Sequence, residues 1–227
     1  LLRILELKNE RIRCSTCGRQ TGREIPDKEP CSADFGDCNA PALLREEQMS
    51  DVKSEPQPVI TADKFELRPL VQADAGLIEI YSGDERVAHY TSRIAHPLPP
   101  GHTEAFIARA LHPERTEDIW AIDASKDNGP SLTGVISLKR MDRNQSEIAY
   151  WVAPAFWNTG VASAAVEALL KANPQRCETI FASVFQDNPA SARVLTKLGF
   201  DYIGDAETFS VARNATVRTW TYICKLG

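Results

Sequence analysis

The segment over residues 147–166, EIAYWVAPAFWNTGVASAAV, is the feature that most constrains the fold of this chain. Its first part, 147–152, predicts a strand, whereas the alanine-rich part from Gly160 onward predicts a helix. The first turn of a helix has main-chain N–H groups without partners, and these groups and the helix dipole attract anions. The short turn between the two elements is therefore a candidate phosphate site.

Two residues of this turn suit such a site. Gly160 allows the backbone to come close to a phosphate, and Asn158 is one of the few non-glycine residues that tolerate left-handed geometry. An ordinary strand-to-helix connection, packed by alanines, explains the same residues equally well. The turn lacks the lysine and Ser/Thr of a P-loop and the three glycines of a dinucleotide-binding loop.

A second informative segment, NPASARVLTKLGF, covers residues 188–200. Asn188 is a good N-cap, Pro189 suits the first helical position, and Gly199 suits the position just past the end of the helix. Capping alone explains most of this pattern. Ser191, in the first helical turn, is the residue that capping does not require.

The period of the hydrophobic pattern changes several times between residue 63 and the C-terminus. Hairpin turns connect the early strands, and a helical crossover connects the later ones, so we expect a mixed α/β fold with helices covering the sheet. The predicted strands are 65–70, 119–124, 132–141, 146–152, 179–185, 200–203 and 215–225, and the predicted helices are 74–81, 84–92, 103–111, 160–172 and 188–198.

Composition divides the chain into three parts. Residues 1–48 form an arm with clustered cysteines, residues 49–62 have the prolines and mixed charges of a linker, and residues 63–227 carry the regular pattern of a folded domain. The net charge of −5 is not that of a nucleic-acid-binding protein. No segment has the apolar length of a membrane span, and the first residues are too charged for a signal peptide. We therefore expect a cytoplasmic protein that binds neither nucleic acid nor membranes.

The cysteines of the arm suggest a metal site. Cys14 and Cys17 have the spacing that lets two thiolates bind one tetrahedral zinc ion. Cys31 and Cys38 would complete a set of four ligands, although their spacing is wider than usual. Alternatively, the arm has no fixed structure, or it lies upstream of a true start at Met49.

Taken together, the motifs resemble those of the GNAT acetyltransferase superfamily, and most closely its branch of ribosomal-protein N-terminal acetyltransferase-like enzymes. The resemblance covers residues 63–227 and includes the order of the elements. The segments that carry it are FELRPL, EIAYWVAPAFW, WNTGVA, NPASARVLTKLGF and RTWTYICKL.

The resemblance implies a mostly antiparallel sheet in which one parallel pair of strands, 146–152 and 179–185, splays apart. Acetyl-CoA would lie in that gap, with its pantetheine arm along the first of these strands and its pyrophosphate on the turn. The residues implied in binding it are Val152, Trp157, Asn158, Thr159, Gly160, Val161, Ala162 and Asn188.

The sequence departs from the family pattern in three places, two of them in the turn and in the late helix. Asn158 and Thr159 stand where the family usually has glycine or a basic residue, so the turn offers main-chain donors and fewer positive charges. Many members use a tyrosine of the late helix as general acid, and this chain has none there. The serine of the related branch, matched by Ser191, is the implied acid instead.

The implied reaction is direct attack of an amine on the thioester, which requires the amine to lose a proton. Glu147 is the first candidate for the base and Glu207 the second, because Ser210 occupies the position that aligns with the glutamate of the related branch. A main-chain N–H near Val152 would stabilise the oxyanion, and Ser191 would protonate the leaving sulfur.

We therefore expect an N-acetyltransferase that acts on a primary amine, either a protein N-terminus or a small molecule. A catalytically silent acyl-CoA-binding regulatory module is the alternative, and a zinc-dependent binder with an accessory transferase domain is a third hypothesis. The sequence leaves the oligomeric state open, a homodimer included.

Overall fold

The computed structural model describes residues 57–226. Its strands are β1 (Ile60–Thr61), β2 (Glu66–Pro69), β3 (Glu117–Asp123), β4 (Gly134–Met141), β5 (Gln145–Val152), β6 (Thr179–Phe185), β7 (Asp201–Ser210) and β8 (Ala215–Lys225). They form one eight-stranded sheet in the order β1-β2-β3-β4-β5-β6-β8-β7. The helices are α1 (Ala75–Ser82), α2 (Glu85–His89), α3 (His102–Leu111), α4 (Val161–Ala172) and α5 (Pro189–Lys197).

The pairing of β5 with β6 differs from every other pairing in this sheet. These two strands are parallel, whereas the remaining neighbours are antiparallel. They pair only over residues 145–147 and 179–181, at the start of each strand. Beyond Glu147 and Phe181 the strands separate, which leaves a gap in the sheet. The predicted mixed fold with one splayed parallel pair is confirmed.

Side chains alternate between the two faces of the sheet, and each face has its own helices. Helices α4 and α5 cover one face, where Val166 and Leu195 pack against strand residues such as Ile136. Helices α1 and α3 cover the other, where Ile78 and Ile107 join a second apolar cluster. The gap between β5 and β6 therefore connects two separately packed layers.

The two sheet edges depart from the sequence-based expectation. Strand β1 lies within residues assigned to the linker by composition, and the indole N–H of Trp120 donates to the Pro58 carbonyl beside it (2.8 Å). Strand β7 extends to Ser210, whereas the pattern predicted only 200–203. Because β7 is an edge strand with mostly exposed side chains, its sequence lacks a strong apolar alternation.

Arg68 connects the N-terminal strands to the first helical segment. Its guanidinium donates to Asp74 (2.8 Å) and Asp123 (2.6 Å), and it also donates to the Ser131 carbonyl (2.9 Å). Asp74 is only 3% exposed, so its charge depends on this partner.

Replacing Arg68 with Met should lower the free energy of unfolding by about 3 kcal/mol, because Asp74 and Asp123 lose the charge that compensates their burial. Urea unfolding measures the change. Lys171→Ala is the control, because Lys171 and Glu167 form an exposed pair on α4, and its loss should leave the stability nearly unchanged. Equal stabilities of the two variants would contradict this account.

Candidate active site

A cleft of about 1610 Å³ opens where β5 and β6 separate. It reaches both faces of the sheet and is bordered by the turn before α4 and by the start of α5. The structure places most of the residues predicted to act in catalysis or to bind acetyl-CoA along this cleft. Those that line it are Glu147, Val152, Trp157, Asn158, Gly160, Val161, Ala162, Asn188 and Ser191.

The turn before α4 has the features of an anion site. Gly160 is the N-cap with a left-handed φ of 86°, and Asn158 is also left-handed with a φ of 62°. The N-cap makes no side-chain hydrogen bond, and the amide of Ala164 donates to the Gly160 carbonyl (3.0 Å). The amides of residues 161–163 are therefore available to a ligand.

Thr159 does not line the cleft, although the sequence placed it in the cofactor site. Its hydroxyl donates to the Phe156 carbonyl (2.7 Å) and so fixes the shape of the turn from the outside. The turn itself has no basic side chain, but the guanidinium of Arg86, on α2, lies 5.9 Å from the centre of the Trp157 ring. Arg86 therefore places a positive charge beside the turn, although the turn itself has none.

The main-chain N–H of Val152 points into the gap. In an antiparallel pair, successive residues alternately direct their main-chain groups toward and away from the partner strand. The amide of Ala153 donates to Thr133, at the β4 side (2.8 Å), so the groups of Val152 face β6. The indole of Trp157 donates to the Val152 carbonyl (2.7 Å). The Val152 N–H, by contrast, stays directed toward the cleft.

Ser191 is held at the cleft by two neighbours. The Asn188 side chain accepts a hydrogen bond from the Ser191 amide (3.2 Å), as an N-cap does. The hydroxyl of Ser191 lies 2.8 Å from the hydroxyl of Tyr150 on β5. Burial raises the pKa of Tyr150 to about 12, an effect that the hydrogen bond with Ser191 only partly offsets. The phenol is therefore protonated near neutral pH.

Sequence reasoning missed Tyr150, although it lies inside the strand that was singled out. Strand alternation places Tyr150 on the same face as Val152, two residues further on, and this is the only feature of the sequence that could have identified Tyr150 as a site residue. Its partner Ser191 is 41 positions away, so the contact depends on how α5 returns to the sheet.

Glu147 reaches the cleft from the face opposite to Tyr150 and Ser191, as strand alternation requires. It forms no hydrogen bond or close ion pair within residues 57–226, but it lies near enough to Arg93 for the two charges to interact. Nearby, Glu117 pairs with Arg93 (2.6 Å) and accepts a hydrogen bond from Ser137 (2.7 Å). Burial alone would raise the pKa of Glu117, but these hydrogen bonds outweigh it and lower the pKa.

The second candidate base, Glu207, and the position that aligns with the glutamate of the related branch, Ser210, are less suited than Glu147 to act as a base. Glu207 lies opposite Arg218 in the register of β7 and β8, and alternation places its exposed side chain on the face away from Glu147. Ser210 is buried, and its hydroxyl donates to the Thr91 carbonyl (3.4 Å). Ser210 therefore has a structural contact with the loop at Thr91, and it has no carboxylate that could act as the base.

Arg213, in the β7–β8 turn, joins three segments beside the cleft. It donates to the His89 carbonyl (2.8 Å) and pairs with Asp187 (2.7 Å), and its guanidinium lies 4.7 Å from the centre of the Phe185 ring. The amide of Val211 also donates to Ser92 (3.0 Å). These contacts, here called the Arg213 clasp, hold the 89–92 loop against the end of β6.

The predicted zinc ligands, Cys14, Cys17, Cys31 and Cys38, lie outside the described residues, so zinc binding by the arm stays a prediction. Within residues 57–226, no cluster of three or more His, Cys, Asp or Glu side chains could hold a metal ion. None of the helices in that range combines the length and apolarity needed to cross a bilayer.

Comparison with known proteins gives a consistent result. The family model described as an acetyltransferase (GNAT) domain matches residues 64–201. The uncharacterised N-acetyltransferase YoaA of Bacillus subtilis is 26% identical over 152 residues, which are 65% of this chain and 85% of that protein.

Two solved structures have the same fold at low sequence identity. The ribosomal L7/L12 alpha-N-protein acetyltransferase RimL, in complex with coenzyme A, is 16% identical with a TM-score of 0.64, over 74% of this chain and 98% of its own. The spermidine N-acetyltransferase of Vibrio cholerae, in complex with coenzyme A and spermine, is 17% identical with a TM-score of 0.58, over 70% of this chain and 95% of its own.

The Arg213 clasp gives a prediction about pH. Hydrogen bonds from Arg213 lower the pKa of Asp187, so the pair stabilises the fold above the unfolded pKa of about 4 and loses this effect as pH falls through the lower folded pKa. Asp187→Asn should therefore destabilise the protein at pH 7 by at most about 1 kcal/mol, because the Asp187 side chain is half exposed and solvent screens its charge.

The difference between wild type and Asp187→Asn should shrink as the pH falls below about 4 and disappear once the pH is below the folded pKa of Asp187. Urea unfolding at a series of pH values measures it. A difference that stays constant down to pH 3 would mean that the Asp187 charge does not contribute through Arg213.

Proposed function

The chain belongs to the GNAT family of acetyltransferases and is an acetyl-CoA-dependent N-acetyltransferase, and from this premise we propose that it acetylates a primary amine by direct attack. The observation that carries the proposal is the gap between β5 and β6. This gap brings together free amides of the α4 turn, the inward N–H of Val152 and the carboxylate of Glu147.

The cofactor would be held mainly by main-chain groups. The amides of residues 161–163 suit the pyrophosphate, with Trp157, Asn158, Thr159 and Gly160 setting the shape of the turn. The edge of β5, unpaired beyond Glu147, suits the amide groups of the pantetheine arm, as an added strand would pair. Asn188 would border the same arm. Acetyl-CoA supplies an acyl group already activated as a thioester.

Glu147 is the proposed base. A primary amine is mostly protonated at neutral pH and attacks only after it loses a proton. Glu147 lines the cleft, forms no hydrogen bond or close ion pair within residues 57–226 and lies on the face opposite to the helix α5 side, where the acceptor can approach. It would accept the proton directly or through one water molecule.

Two groups would stabilise the charge that moves during transfer. The N–H of Val152 would hydrogen-bond the carbonyl oxygen as it gains negative charge. When the carbon–sulfur bond breaks, Ser191 would donate a proton to the sulfur, and the protonated phenol of Tyr150 would in turn donate to Ser191. Tyr150 thus orients the Ser191 hydroxyl.

Two structural neighbours suggest which amines could be the acceptor. The two structural neighbours act, by their names, on the N-terminal amine of a ribosomal protein and on spermidine. We propose a primary amine of either kind as the acceptor here. Release of free thiol from acetyl-CoA in the presence of a panel of amines tests this, and also separates turnover from silent binding of acyl-CoA.

Gly160→Ala should weaken acetyl-CoA binding at least tenfold by calorimetry, because a Cβ at a φ of 86° strains the turn and displaces its amides. Gly101 offers a matched control, since it is also an N-cap glycine, of α3, with a φ of 74° and no atom within 4 Å of an added Cβ. Gly101→Ala should incur similar backbone strain and leave the affinity unchanged. Equal losses of affinity would show that the effect is general destabilisation.

Glu147→Gln should lower kcat about 100-fold near pH 7 with little change in the KM for acetyl-CoA, because the amide cannot accept the amine proton. The deficit should shrink as the pH approaches the pKa of the amine, where the neutral form is already abundant. Glu167→Gln, at an exposed site on α4, is the control. A Glu147→Gln enzyme with wild-type kcat across this pH range would exclude Glu147 as the base.

A further inference from the structure

A row of charged side chains crosses three strands on the Glu147 face of the sheet. The register places Glu117 of β3 opposite Lys139 of β4, and Lys139 opposite Glu147 of β5. Side chains directly opposite each other in neighbouring strands leave the same face. Because neighbouring strands are about 4.8 Å apart, the Cα atoms of the two glutamates are roughly 10 Å apart. The proposed base therefore has a second carboxylate nearby.

This second carboxylate, Glu117, is held by two partners. Arg93, in the loop between α2 and α3, donates to both of its oxygens, at 2.7 and 2.6 Å. The hydroxyl of Ser137, on β4, donates to the same carboxylate (2.7 Å). The Glu117 side chain is only 16% exposed, so its charge needs these partners. Glu117 is thus fixed in place, whereas Glu147 forms no hydrogen bond or close ion pair within residues 57–226.

Arg93 lies between the two carboxylates in its effect. It is near enough to Glu147 for the two charges to interact, yet its hydrogen bonds go to Glu117. A planar guanidinium that donates two bonds to one carboxylate has a fixed orientation. The Arg213 clasp also restrains the 89–92 loop that leads directly to Arg93. Because the Arg93 side chain is mostly exposed, solvent screens its charge, and a modest influence on Glu147 is expected.

Other titratable groups border the same part of the cleft. Lys139 faces Glu147 across the register and is exposed. On the β6 side, the apolar side chains of Phe181 and Ile223 separate the base from Asp201 at the sheet edge. The loop, helix α3 and the residues after it contribute Tyr90, His102, Arg109, His112, Glu114 and Arg115. These groups are the same in every variant below, so they do not account for differences among the variants.

We propose that Arg93 and Glu117 are positioning residues for the base: Glu117 holds the Arg93 guanidinium away from Glu147, which is then kept ionised by a nearby positive charge and is not blocked by a direct salt bridge. This inference rests on the proposed function, in which Glu147 takes the amine proton. A carboxylate in a direct salt bridge is a weaker base whose lone pairs are occupied. A carboxylate without the nearby positive charge is protonated at higher pH.

Titration of Glu147 in the full chain, followed by the NMR signal of its carboxyl carbon, tests the proposal without an acceptor. Glu147→Gln identifies the signal, because that signal then disappears. Arg93→Gln should raise the midpoint of the titration by at least about half a pH unit, because a positive charge is lost. Glu117→Gln should lower it by about the same amount, because Arg93 then turns to Glu147. The double variant should lie between the two single variants.

Charge-matched controls come from Lys126 and Glu66, which pair beyond the other end of β3. Lys126→Gln and Glu66→Gln should leave the midpoint unchanged to within about 0.1 pH unit, because solvent screens distant charges. Midpoints that stay at the wild-type value in Arg93→Gln and Glu117→Gln, or that move in the same direction, would overturn the proposal. If Glu117→Gln does not fold, the Arg93 variant alone decides, because an exposed side chain leaves no buried cavity when it is replaced.

Kinetics provide a readout that a purely structural role would not change. With spermidine or a tripeptide amide as the acceptor, the acid limb of kcat/KM, expressed per concentration of neutral amine, should move in the same directions as the midpoints. Near pH 7, kcat of Glu117→Gln should fall at least about threefold with the KM for acetyl-CoA unchanged. In a Glu147→Gln background, Arg93→Gln should not move the acid limb further.

The outcomes separate this inference from the proposed function. An enzyme that loses activity in Glu147→Gln but keeps its midpoint and acid limb in Arg93→Gln and Glu117→Gln would overturn this inference alone. A chain that acetylates neither acceptor would overturn the proposed function and the catalytic role of the pair with it. Opposite shifts in the two single variants, matched by the acid limb, support the assignment.

Discussion

The separation of two parallel strands after three paired residues is the constraint on which the rest of the site depends. Strands β5 and β6 pair over 145–147 and 179–181 and then diverge, so the main-chain groups at the end of β5 lack the neighbour they would have in a continuous sheet. Buried main-chain groups need partners. A ligand with amide groups of its own can supply them, and the N-terminus of α4 lies next to the opening.

The same separation brings together groups that a closed sheet would keep apart. Tyr150 and Ser191 belong to the layer of α4 and α5, whereas Glu147 belongs to the layer of α1 and α3. An acid and a base can therefore approach one reacting centre from opposite sides. The Arg213 clasp borders the Glu147 side, where it holds the 89–92 loop against the end of β6.

The sequence was sufficient for features that depend on local chemistry. The turn at Gly160 and the helix capped by Asn188 follow from backbone preferences within a few residues, and both have the predicted conformation. The pairing of Tyr150 with Ser191 and the contacts of Arg213 could not be predicted, because they join residues distant in sequence whose approach is set by the whole sheet. The orientation of Glu207 depended on the register of an edge strand, which its mostly exposed side chains do not reveal.

Amide hydrogen exchange of the full chain, with and without coenzyme A, tests the central claim most directly. The first-turn amides of α4 have no acceptor in the free protein, so they should exchange quickly. The account predicts that coenzyme A slows exchange at residues 161–163 and at Val152, with little effect at the start of α3. Protection that is absent at both places, or that arises only elsewhere, would contradict it.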